Sequence, residues 1–202
     1  LEFRRVLFRS YSFTLMKFNS LLTAGVFALA LLGTLPVMTA CEDGEKEEKL
    51  VTVEASGSFN TKLTMEIKNG PAFHAEVPST NVIVSPETPE TVQLKFGAAS
   101  VDVQAQGAPL NGADVQAFTV KGVRAKKEAD GSFTFTGTPQ FTTLMRLGMG
   151  KAPRQSAQFK EYTANESKVE GTLKDGVLHL NVTFKPGSMP FPLSFTYDGK
   201  RQ

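Results

Sequence analysis

From Leu50 onward the chain alternates apolar and polar residues with a period of two. Val51-Thr-Val53-Glu-Ala55, Leu63-Thr-Met65-Glu-Ile67, Val92-Gln-Leu94-Lys-Phe96 and Val101-Asp-Val103-Gln-Ala105 carry the pattern in the first half. Phe133-Thr-Phe135, Leu178-His-Leu180-Asn-Val182-Thr-Phe184 and Phe191-Pro-Leu193-Ser-Phe195-Thr-Tyr197 carry it in the second. Successive side chains of a strand point to opposite faces, so the pattern predicts strands with one buried and one wet face. Turn pairs separate them: Asn69-Gly70, Asn111-Gly112, Asp130-Gly131 and Asp175-Gly176. The last predicts a hairpin between Lys168 to Lys174 and Val177 to Lys185.

Helical periodicity is nearly absent. Gln140 to Gly150, with Leu144, Met145 and Leu147, reads as a short turn of helix or a bulky loop, ended by Gly148 and Gly150. About nine or ten short strands without crossover helices imply an all-β antiparallel fold. In one domain's length of chain that means a small closed or nearly closed barrel, with a β-sandwich as the alternative. Closure would also remove the edge strands that invite aggregation.

Composition divides the chain. Of the first 40 residues 24 are apolar, against 58 of the remaining 162. Leu1 to Ser10 resembles the translated end of a sequencing adapter, and residues 1–15 are set aside as scar or leader. Residues 16–40 read as an export signal: Met16-Lys17-Phe18-Asn19, an uncharged apolar run from Leu21 to Leu35, then smaller residues to Ala40. Met38-Thr39-Ala40-Cys41 resembles a lipobox, with Met38 where Leu is usual. An uncleaved membrane helix, or a secretory signal beside a chance cysteine, would also give an apolar run of this length. Pro36 and the position of the chain's one cysteine favour lipidation at Cys41. A lone thiol in an exported domain makes no internal disulfide, whereas two or three acyl chains would hold the protein on a membrane. The expected partner is thus membrane lipid through acylated Cys41, and the expected location the bacterial outer membrane, on its surface or periplasmic side.

Residues 41–49 complete the anchor. Glu42 to Lys49 holds five acids and two bases, a composition that reads as a solvated tether. It also resembles the surface-export signal of Bacteroidales lipoproteins. Beyond Ala40 the chain carries 18 Lys and Arg against 19 Asp and Glu, so the basic balance of the whole belongs to its leading segment. Arg124-Ala-Lys126-Lys127 reads as a solvated hairpin end, and no nucleic-acid motif accompanies it.

Val169-Glu-Gly-Thr-Leu173-Lys-Asp-Gly-Val-Leu178 and Pro192-Leu-Ser-Phe-Thr-Tyr-Asp-Gly199, behind a lipobox and an acidic tether, resemble the calycin-like barrel lipoproteins of Bacteroidales. The resemblance implies a lipocalin-like barrel over residues 50–202 and supplies no catalytic residues.

Candidate chemistry is sparse. His179 shares a face with Val177, Asn181 and Thr183 and is expected in solvent. His74 lies in a turn-like stretch, with a surface role. There is no recognisable zinc set, GxSxG, P-loop or GxGxxG, so the sequence predicts neither enzyme nor cofactor nor metal. Eleven Phe and two Tyr follow Cys41, with no Trp in the chain, which disfavours a sugar-stacking platform. Two readings of a Phe-lined interior remain. In one, a cavity takes a small apolar ligand, with Phe141, Met145, Met149, Met189 and Phe191 near its mouth. In the other, side chains fill the barrel, and the domain is a structural or protein-interaction module of the envelope.

Overall fold

The computed structural model describes residues 50–70, 72–102, 110–149 and 154–202. The leader, signal, Cys41 and tether lie outside them, as does the side chain of Met149. The described residues form eleven strands: β1 (Gly57–Ile67), β2 (His74–Pro86), β3 (Thr91–Phe96), β4 (Ala99–Asp102), β5 (Leu110–Val115) and β6 (Phe118–Lys127). They continue with β7 (Phe133–Gly137), β8 (Thr142–Met149), β9 (Lys160–Lys174), β10 (Val177–Pro186) and β11 (Leu193–Arg201).

Every pairing is antiparallel, and the ladder β10-β11-β1-β2-β3-β6-β7-β9 returns to β10. The result is a closed eight-stranded barrel. Three of its staves are bent: β3 runs on into β4, β5 into β6 and β7 into β8, each across a few residues. Beyond the bends, β8 pairs with β9, β5 with β8 and β4 with β5. β4 returns to lie beside β2, and Gly97 N donates to Asn81 O at 2.7 Å where the stave turns. Closure and one continuous core within Leu50 to Gln202 make this a self-contained folding unit.

The Asp175-Gly176 hairpin forms as predicted, Lys174 opposite Val177, with φ of 50° and 75° at the two turn residues. Those positive values match the two-residue turn whose twist suits an antiparallel pair. Asn69, at φ 57°, and Asp130-Gly131 also turn the chain.

Three expectations are corrected. Val51–Glu54 is one helical turn, α1, not a strand. Thr52 is buried there and Val53 exposed, the reverse of what the alternation implies, and Ala55 N donates to Val51 O at 3.0 Å. The turn packs against β2 and β6 and plugs the barrel end that also carries the β2–β3, β6–β7 and β9–β10 turns. Gln140 to Gly150 is neither helix nor loop: it holds β8, whose outward Leu144 hides the alternation of inward Thr143, Met145 and Leu147. Asn111-Gly112 does not turn but lies within β5.

The inner wall is mainly apolar, with Thr61 and Thr143 among its buried side chains. Six rings form a continuous chain across it: Tyr197 to Phe96 (4.7 Å between centroids), Phe96 to Phe118 (4.7 Å), Phe118 to Phe141 (5.4 Å), Phe141 to Phe184 (5.1 Å) and Phe184 to Phe195 (5.2 Å). Leu63, Met65, Leu94, Met145, Leu178 and Leu180 are fully buried around them. Eight strands enclose a space just wide enough for side chains to fill, and here they fill it. Burial pushes the Tyr197 phenol well above its ordinary range.

Candidate functional site at the open end of the barrel

The end opposite α1 is walled by β4, β5, β8 and the first half of β9. On its outer surface, Ser100, Asp114 and Arg146 stand opposite one another across three strands. Arg146 continues the row by lying over the ring of Phe159, 4.9 Å from its centroid. Asp114 is buried although it is charged, so its partners decide whether it is tolerated. Ser100 and Arg146 donate to its carboxylate, and Arg154 Nε lies 2.9 Å from Oδ1.

Arg154 reaches this position because two glycines clear its path. It starts a short 3-10 turn, Arg154–Ser156, and its side chain crosses Gly112 and Gly148. A Cβ on Gly148 would meet the Arg154 Cβ at 2.9 Å, and one on Gly112 would meet its Cδ at 3.2 Å. The guanidinium then ties β4 down, donating to Val101 O at 2.5 Å, to Ser100 Oγ at 2.8 Å and to Asp102. Desolvation pushes the Asp114 carboxyl up, but the hydrogen bonds from Ser100 and Arg146 and the charge of Arg154 outweigh it. The net result is a pKa below the ordinary range. A shallow cleft of about 280 Å³ beside this cluster is lined by Ala98, Ser100, Asp114, Gln116 and Phe159.

A second cleft, about 300 Å³, lies on the inward-facing side of the β8–β9 seam, lined by Leu147, Ala157, Gln158, Lys160 and Tyr162. Leu147 and Tyr162 are half-buried against the core. Thr143 stands opposite Tyr162 across the ladder, and its buried hydroxyl has no hydrogen-bond partner.

Four of the five candidate ligand-contacting residues have described side chains. Phe141 and Met145 are core residues, Phe141 between the rings of Phe118 and Phe184 and Met145 with no exposed surface. Met189 and Phe191 are half-buried on the β10–β11 loop, where a Cβ on Gly70 would meet the Phe191 ring at 2.6 Å. Met149 ends β8. None of Phe141, Met145, Met189 and Phe191 lines a described cleft. His179 is exposed as expected and binds Asp198; His74 opens β2 with Nδ1 3.3 Å from Glu66. The sequence reading missed Asp114 and Arg154. The one signal was an acid in the middle of an otherwise apolar Ala113-Asp114-Val115 strand.

A family model for the calycin-like β-barrel domain matches residues 31–200. The chain belongs to the calycin-like β-barrel domain family. Among solved structures, this calycin-like barrel is similar to a crystal structure titled "putative outer membrane protein" from Bacteroides fragilis NCTC 9343. Identity is 16% and the TM-score 0.54, over 75% of this chain and 53% of that one, so the likeness is one of fold. The calycin-like chain spans about half that protein's length. A search of curated proteins found no match.

Proposed function

We propose that this calycin-like chain is a lipid-anchored, non-enzymatic module of the cell envelope that works by contact at its open end, rather than by enclosing a large apolar ligand. The observation that carries this reading is the interior. The ring chain from Tyr197 to Phe195 occupies the space a deep apolar ligand would need. The outer wall supports the role of the anchor: Thr134, Thr136, Glu170, Thr172, His179 and Asn181 face outward, where a membrane-spanning barrel carries an apolar band. Attachment to a bilayer therefore rests on Cys41 and the acidic tether, which spans up to about 30 Å when extended. The described chain starts with α1. The similar barrel from Bacteroides fragilis, described as a "putative outer membrane protein", supports an envelope location.

Palmitate labelling of the full chain in a lipoprotein-processing bacterium tests the anchor. Labelling should disappear in Cys41→Ala and the protein should leave the membrane fraction; persistent labelling would refute it.

A further inference from the structure

We infer that Asn69 is a site of spontaneous modification, where the side-chain amide closes onto the backbone nitrogen of Gly70 and is converted by water to aspartate or isoaspartate. The inference depends neither on the anchor nor on what the open end contacts. The reaction balances without an enzyme or an oxidant. The Gly70 nitrogen gives up its proton and bonds to Asn69 Cγ, while the Cγ–Nδ2 bond breaks and the leaving nitrogen departs with that proton as ammonia. Water then opens the succinimide ring at either of its carbonyls. The product is an ordinary side-chain carboxylate or a backbone that runs through Cγ.

The attack requires an unhindered nitrogen and a backbone free to rotate toward the side chain. The sequence holds two Asn-Gly pairs, Asn69-Gly70 and Asn111-Gly112, whereas Thr, Val, Glu and Val follow Asn60, Asn81, Asn165 and Asn181 and crowd the nitrogen with a Cβ. The fold separates the two pairs. Asn111 lies inside β5, with its Oδ1 where a Cβ on Gly148 would stand. Gly112 is buried, paired with Asp102 on β4 and Gly148 on β8, and crossed by Arg154. Rotation there breaks the ladder on both sides.

Asn69 and Gly70 instead form the exposed turn after β1. Asn69 sits at φ 57°, a left-handed conformation that asparagine tolerates, and its side chain bonds to no described residue. The fold also demands glycine as its successor. A Cβ at position 70 would meet the Phe191 ring at 2.6 Å and Ile67 Cγ2 at 2.7 Å, so no larger residue fits. The packing that seats the β10–β11 loop thus keeps beside Asn69 the residue that leaves it most reactive. Isoaspartate would lengthen this turn by one backbone carbon against Phe191, beside the bond from Lys68 N to Pro192 O at 2.9 Å.

The test is peptide mapping by mass spectrometry of the barrel expressed from Glu42, which keeps the whole closed ring, after ageing in mildly alkaline buffer. Conversion replaces an amino group by a hydroxyl and raises the peptide mass accordingly; methyltransferase labelling counts the isoaspartate. In the folded barrel Asn69 should convert at least about ten-fold faster than Asn111. Asn111 reacts only when β5 opens, and an opening free energy of about 1.4 kcal/mol is already a factor of ten. In denaturing urea the two rates should converge, since both are Asn-Gly pairs. No conversion at Asn69 while the unfolded chain converts, or equal rates at the two positions in the folded barrel, would overturn the assignment. A rate gap that persists undiminished in urea would overturn it too, because the fold would then not be what distinguishes the two sites.

Discussion

Phe141→Ala removes the middle ring of the chain that fills the barrel. Phe141 is 7% exposed and touches Phe118 at 5.4 Å and Phe184 at 5.1 Å between centroids. Truncating a buried Phe costs about 3–5 kcal/mol, because lost transfer energy adds to the cavity left behind. Each ring pair contributes roughly 0.5–1.5 kcal/mol of that beyond its area. Its slight exposure places Phe141 toward the lower half of the range, about 3–4 kcal/mol. With a urea m-value of about 2 kcal/mol/M, the midpoint should fall by roughly 1.5–2 M. Equilibrium urea unfolding monitored by circular dichroism reads this directly. The m-value should stay unchanged, since the same surface unfolds. A midpoint loss below about 0.5 M, or about 1 kcal/mol, would mean that the ring borders empty space, and would refute the filled interior.

The remaining predictions concern the open end and the barrel wall. Asp114→Ala leaves Arg154, whose side chain is 11% exposed, without its buried counter-charge; it should lose about 3 kcal/mol in urea unfolding. Removal of the exposed Glu76, paired with Lys62, should leave the midpoint unchanged. The Asp114 carboxyl titrates below its unfolded value, so the stability it gives is complete above about pH 4 and lost as pH falls through its folded pKa. Asp114→Asn should therefore flatten the acid limb of a stability-against-pH curve below about pH 4. Gly199→Ala would place a Cβ 2.0 Å from the carbonyl oxygen of Asn60, a backbone clash, and should yield little folded protein by circular dichroism. Thr143→Val should hold or raise the melting temperature, because an unpaired buried hydroxyl costs roughly 1–3 kcal/mol.

Most of the barrel was legible because its strands obey one rule. β1, β3, β7, β10 and β11 keep apolar side chains on one phase and polar ones on the other, and the Asp175-Gly176 turn fixes a register that pairs Lys174 with Val177. Where the rule failed, a tertiary contact had replaced the local signal. Val51 to Ala55 alternates like a strand, but five residues are too few to choose between a strand and one turn of helix. Its docking over β2 and β6 decides for the helix. β8 was hidden because Leu144 puts an apolar group on the outer phase and Gly148 resembles a helix stop. In the fold Gly148 is the space through which Arg154 passes. Gly112 was misread for the same reason, as a turn residue beside Asn111 rather than the bare patch opposite Gly148. The candidate site was less legible than the fold. Met and Phe content pointed to residues 141 and 145, which are apolar because they fill the core. The clefts are lined by Asp114, Lys160 and Tyr162, whose roles depend on strands far apart in sequence.

Xenon titration followed by methyl NMR tests the central claim, a barrel filled by its own side chains, whatever the identity of any ligand. Xenon enters apolar cavities and leaves a packed interior untouched. In the wild-type barrel the methyl groups of Val82, Leu94, Leu178 and Leu180 should show no saturable response, while Phe141→Ala should acquire one near Phe118 and Phe184. A saturable response at those methyls in the wild type would reveal an interior cavity and contradict the account.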